Sequence, residues 1–132
     1  MTDVVNHPAH YNSSPSGVEA IEICSHLNFA IGNTVKYLWR SDLKHKDARE
    51  DMSKARWYLR FAMEYSPGRH GGLALPPPKI PMLLTVINAE NFGSVLRDVL
   101  ELVVLKYVNG EEPHLAAALL RIEQEIEKVS HA

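Results

Sequence analysis

The sequence predicts an all-α protein: a small helical N-terminal module followed by a C-terminal helical hairpin or bundle used for oligomerisation. Three observations predict it. Apolar residues recur at spacings of three and four in several stretches. Helix-start signatures stand ahead of two of those stretches. The one compositionally biased segment, rich in Gly and Pro, lies between two helical halves.

The elements follow in order. Ser16-Gly17-Val18-Glu19 has the pattern in which a serine oxygen and a glutamate three residues later satisfy free amides at a helix start, which predicts a helix from about Gly17 to Leu27. A second runs from about Phe29 to Arg40, with Ile31, Val35 and Leu38 on its apolar side. A third begins at Asp47, whose carboxylate caps it while Glu50 closes the box, and Met52, Ala55, Leu59 and Ala62 form its buried stripe. Ser66 to Pro81 reads as a linker, because its glycines are flexible and its prolines lack amide donors, so no helix is expected to cross it. Beyond it come a short helix from Met82 to Glu90 and a strong one from about Gly93 to Tyr107, ended by Asn109-Gly110. The last begins near Glu112-Pro113 and carries Leu115, Leu119, Ile122, Ile126 and Val129 in a seam like that of a coiled coil.

The organisation expected is therefore a ligand-binding module at 1–65, a linker at 66–81 and an assembly region at 82–132. Val95, Leu96, Val99, Leu100, Leu102, Val103, Val104 and Leu105 cover most of one helix's circumference. Such a helix must be buried on several sides, and two or three helices are too few to do it, so a homo-oligomer is expected.

Composition bounds the function. A chain of 132 residues holds one compact domain, or one with a helical appendage, and has no room for two large catalytic lobes. A net charge of −2 is not the footprint of a protein that coats duplex nucleic acid. The single Cys24 forms no internal disulfide, and the absence of a leader or a long apolar span points to the cytoplasm and away from a membrane. The charge is uneven, however. Lys36 to Arg60 holds eight basic residues against Asp42, Asp47, Glu50 and Asp51, and residues 1–65 hold both tryptophans. A bound anion belongs there.

On a helix, Asn33, Lys36, Tyr37 and Arg40 share one side, opposite Ile31, Val35 and Leu38. A guanidinium fork and an ammonium are the pair that holds phosphate or carboxylate, and tyrosine donates or stacks. Trp39, Trp57 and Tyr58 lie near in sequence and suit a base-stacking platform or the core. Ahead of the first helix, Pro8 forbids a regular helix through His7-Pro8-Ala9-His10-Tyr11, which suits an arm folding over the cationic face to donate to phosphate or cover a base. Cys24, His26 and His45 have no metal-ligand spacing, so no metal site is expected from them. Glu19 with Glu22, and Glu50 with Asp51, partly resemble the carboxylate pairs that hold Mg²⁺ in all-helical nucleotide pyrophosphohydrolases; an acid at Ser53 would be needed to complete the second pair. No phosphate-binding loop of the Gly-x-x-x-x-Gly-Lys type and no hydrolase nucleophile motif occurs.

Four blocks, taken together, carry a resemblance: Asn6-His7-Pro8-Ala9-His10-Tyr11, Gly17-Val18-Glu19-Ala20-Ile21, Gly32-Asn33-Thr34-Val35-Lys36-Tyr37-Leu38-Trp39-Arg40, and Glu50-Asp51-Met52-Ser53-Lys54-Ala55-Arg56-Trp57-Tyr58-Leu59. In this order they resemble a family of small bacteriophage proteins of largely unknown function, some labelled nucleotide kinases. The resemblance implies a phage origin, a host-cytoplasmic setting and a nucleotide-type ligand. It implies His7, His10, Tyr11, Asn33, Lys36, Tyr37, Arg40, Lys54 and Trp57 as contacts. Two functions from different classes then stand. In one, a helical oligomer captures a nucleotide or nucleotide-derived signal and so blunts host defence, with no cofactor required for binding. In the other, the same pocket phosphorylates a nucleoside monophosphate for phage DNA synthesis, with Mg²⁺ held by carboxylates. Residues, rich in cations and aromatics and poor in nucleophiles, favour capture.

Overall fold

The computed structural model describes residues 16–43, 48–65, 75–90 and 93–130. All regular structure among them is helical: α1 (Ala20–Cys24), α2 (Phe29–Leu43), α3 (Ala48–Tyr65), a 3-10 turn (Pro77–Lys79), α4 (Ile80–Ala89), α5 (Val95–Val99), a π-helical stretch (Leu100–Leu105), α6 (Lys106–Val108) and α7 (Leu115–Ser130). The expected arm at residues 7–11, the cap at Asp47 and most of the linker lie outside the described residues.

The first helix is shorter than its pattern suggests, and the reason is local. Gly17 sits at φ 74°, a left-handed conformation that cannot belong to a right-handed helix. Ser16 Oγ therefore accepts from the Val18 amide, and the box forms three residues later, with the Glu19 amide donating to Glu22 Oε2 at 2.8 Å. At the other end the Leu27 amide donates to the Cys24 carbonyl, and Asn28 Oδ1 caps the next helix through the Ile31 amide at 2.8 Å. The first helix thus ends at Cys24, three residues short of the expected Leu27, and the second starts at Phe29 as expected. Gly32 lets α1 approach α2: a Cβ there would stand 3.1 Å from the Cys24 carbonyl oxygen.

α3 packs on α2 along one side and on α7 along another, and α2 also meets α5. Contacts pairing Phe29 with Tyr58, Tyr37 with Lys54 and Arg40 with Asp51 make α2 and α3 antiparallel. The expected stripe of Met52, Ala55, Leu59 and Ala62 is buried, as are Ile31, Val35 and Leu38. On α7, Leu115, Ala118, Ile122 and Ile126 are buried, while Leu119 and Val129 only pack against the edge of the core. Both halves of the sequence contribute to one apolar cluster. Each fully buried Leu, Ile or Val there contributes about 1.5–3 kcal/mol from leaving water.

Two further boundaries and one helical geometry depart from expectation. α4 starts at Ile80, inside the expected linker, because Pro81 occupies the first helical turn, where a missing amide costs nothing. Gly93 at φ 87° precedes α5 rather than joining it, and Ser94 caps that helix. The strong helix is not uniformly α: Leu100–Leu105 widens to π geometry, which no sequence signal announced. Its end is as expected. Gly110 lies at φ 83°, the Glu111 amide reaches back to the Lys106 carbonyl and the Gly110 amide to the Tyr107 carbonyl.

The packing also changes the argument for oligomerisation. Val95, Leu96, Val99, Leu100, Val103 and Val104 are all buried within the single chain, and Leu102 and Leu105 pack against its core. The helix needs no second copy to cover it, so its all-round apolarity is no reason for one.

Two polar ties fix the ends of these elements. Ser94 Oγ donates to Asp42 Oδ2 at 2.9 Å, joining the end of α2 to the start of α5. Arg121 binds Asp98 Oδ2 at 2.8 Å, Glu125 Oε2 at 3.0 Å and the Gly93 carbonyl, joining α7 to that same junction. No helix among the described residues is long and apolar enough to cross a membrane.

Candidate functional site

The antiparallel contact of α2 and α3 buries one face of each and leaves a second face in water. From α2 that face presents Phe29, Asn33, Lys36 and Tyr37, spaced so that they follow one side of the helix. From α3 it presents Lys54, Trp57, Tyr58 and Phe61. The apolar positions between them, Val35, Leu38, Ala55 and Leu59, are buried, which turns these outward.

The exposed rings form a continuous aromatic surface. Tyr58 is its centre: Tyr37 stacks on it with centroids 5.9 Å apart and planes 11° apart, Phe29 meets it edge-on at 5.9 Å, and Trp57 edge-on at 5.1 Å. Trp57 in turn stacks on Phe61 at 5.6 Å. Phe29 is 76% exposed and Trp57 60%, unusual for side chains of this size. Two ammonium groups meet the same tyrosine: Lys36 Nζ lies 4.6 Å and Lys54 Nζ 5.4 Å from the Tyr37 centroid, both within cation–π range. Lys54 is also 3.3 Å from Glu50 Oε1. Among the described residues, no carboxylate pairs with Lys36.

The structure thus brings Lys36, Tyr37, Lys54 and Trp57 together. His7, His10 and Tyr11 lie outside the described residues. Asn33 sits on the same side of α2, with its Nδ2 donating to the Phe29 carbonyl at 2.7 Å. Arg40 does not belong with the exposed cations. Its Nε lies 3.8 Å from Oδ1 of Asp51, which is 3% exposed, so the guanidinium compensates a buried carboxylate between the two helices. Trp39, fully buried, is core and not platform. Sequence reasoning named Phe29 only as the start of a helix, passed over Phe61 and left Tyr58 out of the site. The signal was there in the spacing of Phe29 to Asn33 and of Trp57 to Phe61, one helical turn each, on faces opposite the apolar stripes.

The acidic pairs do not converge. Glu50 is exposed beside Lys54 while Asp51 points inward to Arg40, and Glu22 serves the start of α1. Among the described residues no three His, Cys, Asp or Glu side chains gather in a way that would hold a metal ion. The Cys24 thiol is pushed up to about 12, by burial first, with Lys36 opposing.

This exposed aromatic and cationic face is carried by one recognisable stretch of chain. Residues 5–60 match the family model DUF3310, described as a protein of unknown function. The DUF3310 match covers less than half of the chain, yet it includes Phe29, Lys36, Tyr37, Lys54, Trp57 and Tyr58 and ends just before Phe61. The chain is similar to that family over α1, α2 and most of α3. No curated protein and no solved structure gives a match.

Proposed function

We propose that the α2–α3 face binds a nucleotide-type ligand, its base stacked on the exposed rings about Tyr58 and its phosphate at Lys36 and Lys54. One observation carries the reading: two ammonium groups share the Tyr37 ring, which stacks on Tyr58, and Trp57 and Phe29, which meet Tyr58 edge-on, offer their surfaces to water. Apolar area of this kind is stabilised by covering it, and every base has a π-face to do so. Two like charges at one ring repel, and an anion between them relieves the repulsion.

Capture is the role this arrangement supports best. Phosphoryl transfer needs charge focused on the transferred group, usually through Mg²⁺ held by carboxylates, and Glu50 and Asp51 diverge. We read the protein as a phage accessory factor that sequesters a nucleotide-derived signal in the host cytoplasm and so counters host defence. Binding requires no cofactor.

The test is a calorimetric panel of mononucleotides, cyclic dinucleotides and ADP-ribose derivatives, run with ATP and Mg²⁺ present and followed by chromatography of the denatured mixture. Lys36→Ala removes a charge-assisted contact worth about 1.5–3 kcal/mol, an affinity loss of roughly 10- to 150-fold. Trp57→Ala removes a stacking contact worth about 1–3 kcal/mol. The ligand returns unmodified. A phosphorylated product would assign the face to a nucleotide kinase, and unchanged affinity in both variants would overturn the site.

A further inference from the structure

Beside the aromatic face lies a cleft of about 290 Å³ between α1 and α2, lined by Ile21, Ser25, Asn28, Phe29, Asn33 and Lys36, with Ser25 exposed. Its size is at the lower end of small-molecule pockets. Phe29 and Lys36 belong to both features. Phe29 meets Tyr58 edge-on within the aromatic face and also walls the cleft; Lys36 lies over Tyr37 and also lines the cleft. A ligand phosphate held at Lys36 therefore sits at the boundary of two compartments.

The polar chemistry of the cleft is specific. Asn28 and Asn33 each commit one end of the amide to the helix, and these bonds fix which end is which. Asn28 Oδ1 accepts from the Ile31 amide, and Asn33 Nδ2 donates to the Phe29 carbonyl. What remains is a donor, Asn28 Nδ2, and an acceptor, Asn33 Oδ1. One donor and one acceptor from two side chains is what the edge of a nucleobase demands, whereas the rings of the outer face stack without regard to base identity.

We infer that the cleft is a second, base-reading subsite, and that the ligand carries two nucleobases joined through phosphate: one stacked on Trp57 and Tyr58, the linking phosphate at Lys36, the second base in the cleft against Phe29. This rests on the nucleotide reading of the α2–α3 face and names its ligand class. A linear dinucleotide, a cyclic one and a stretch of single strand share this chemistry. The outer face provides affinity for any base, and the cleft selects.

Calorimetry with AMP, pApA, cyclic di-AMP and a four-nucleotide oligoadenylate tests it. In the wild-type protein pApA binds at least 10-fold tighter than AMP; whether cyclic di-AMP or the tetranucleotide equals pApA tells which source of the two-base unit the cleft accepts. Ser25→Trp places an indole in the cleft lining and brings pApA down to the affinity of AMP, with AMP itself unmoved. Asn33→Leu, a replacement that keeps the helix, lowers pApA affinity and flattens the preference among pApA, pCpC and pUpU. AMP binding with no dinucleotide advantage, or an advantage that survives Ser25→Trp, overturns the cleft assignment while leaving the outer face standing. Binding of none of these probes overturns both.

Discussion

Arg40 separates a structural cation from a ligand-binding one, and Arg40→Ala tests the separation. Asp51 is 3% exposed and its Oδ1 lies 3.8 Å from Arg40 Nε. Removing one partner of a buried ion pair costs about 3–5 kcal/mol, because the remaining charge is left in a poor solvent. Here the separation is long and the Arg40 side chain is 27% exposed, so water reaches the pair and the cost falls to about 2 kcal/mol. With about 2.1 cal/mol/K of unfolding entropy per residue, a chain of 132 residues has roughly 0.28 kcal/mol/K, and 2 kcal/mol becomes a drop in Tm of about 7 °C. Lys36→Ala, on the exposed face, changes stability by no more than about 0.5 kcal/mol, a shift under about 2 °C. The assay is thermal unfolding followed by circular dichroism, with Arg40→Met/Asp51→Leu as the companion. Replacing both charges by apolar groups of similar size restores most of the loss. Equal melting temperatures for Arg40→Ala and Lys36→Ala would refute the structural assignment, as would a double replacement no more stable than Arg40→Ala.

The remaining predictions concern the rest of the frame. Glu90 is pushed up to about 8, by burial first, then by the hydrogen bond and the charge of Asp42. Because the folded value lies above the unfolded one, this group's stabilisation is complete below about pH 4.5 and is lost as pH rises through 8. Glu90→Gln is therefore expected to melt higher than the wild type at pH 9 and alike at pH 4.5; the reverse order would contradict the pairing. Cys24, held as a neutral thiol at about 12, is expected to resist iodoacetamide at pH 8 until denaturant is added, and rapid alkylation of the folded protein would show otherwise. Ile122→Ala, at a fully buried position on α7, is expected to lower stability by about 2–5 kcal/mol in denaturant titration, and a loss below 1 kcal/mol would mean that α7 does not complete the core.

The amphipathic stripes of α2 and α3 were legible because each is set by periodicity alone, and Val35, Leu38, Ala55 and Leu59 are buried as that periodicity demands. The start of α1 was not. Ser16-x-x-Glu19 and Glu19-x-x-Glu22 compete for the same box, and only the left-handed backbone at Gly17, invisible in a residue pattern, decides between them. The π-helical stretch was equally hidden, since Leu100–Leu105 is apolar in either helical geometry. In the site, Lys36, Tyr37, Lys54 and Trp57 were legible as residue types on two helices. That Arg40 faces Asp51 depends on how α2 lies against α3, a tertiary fact, and so do the rings that Tyr58 gathers from both helices.

The central claim is that Trp57 and its neighbouring rings meet a nucleobase while Lys36 holds its phosphate. Trp39 is fully buried and Trp57 is 60% exposed, so their emission separates into blue and red components. Titrating AMP into the protein is expected to quench the red component saturably and leave the blue one, with the quench absent in Trp57→Phe and shifted to at least 10-fold higher AMP in Lys36→Ala. A titration that leaves the red emission unchanged at millimolar AMP, or a midpoint that does not move in Lys36→Ala, would contradict it.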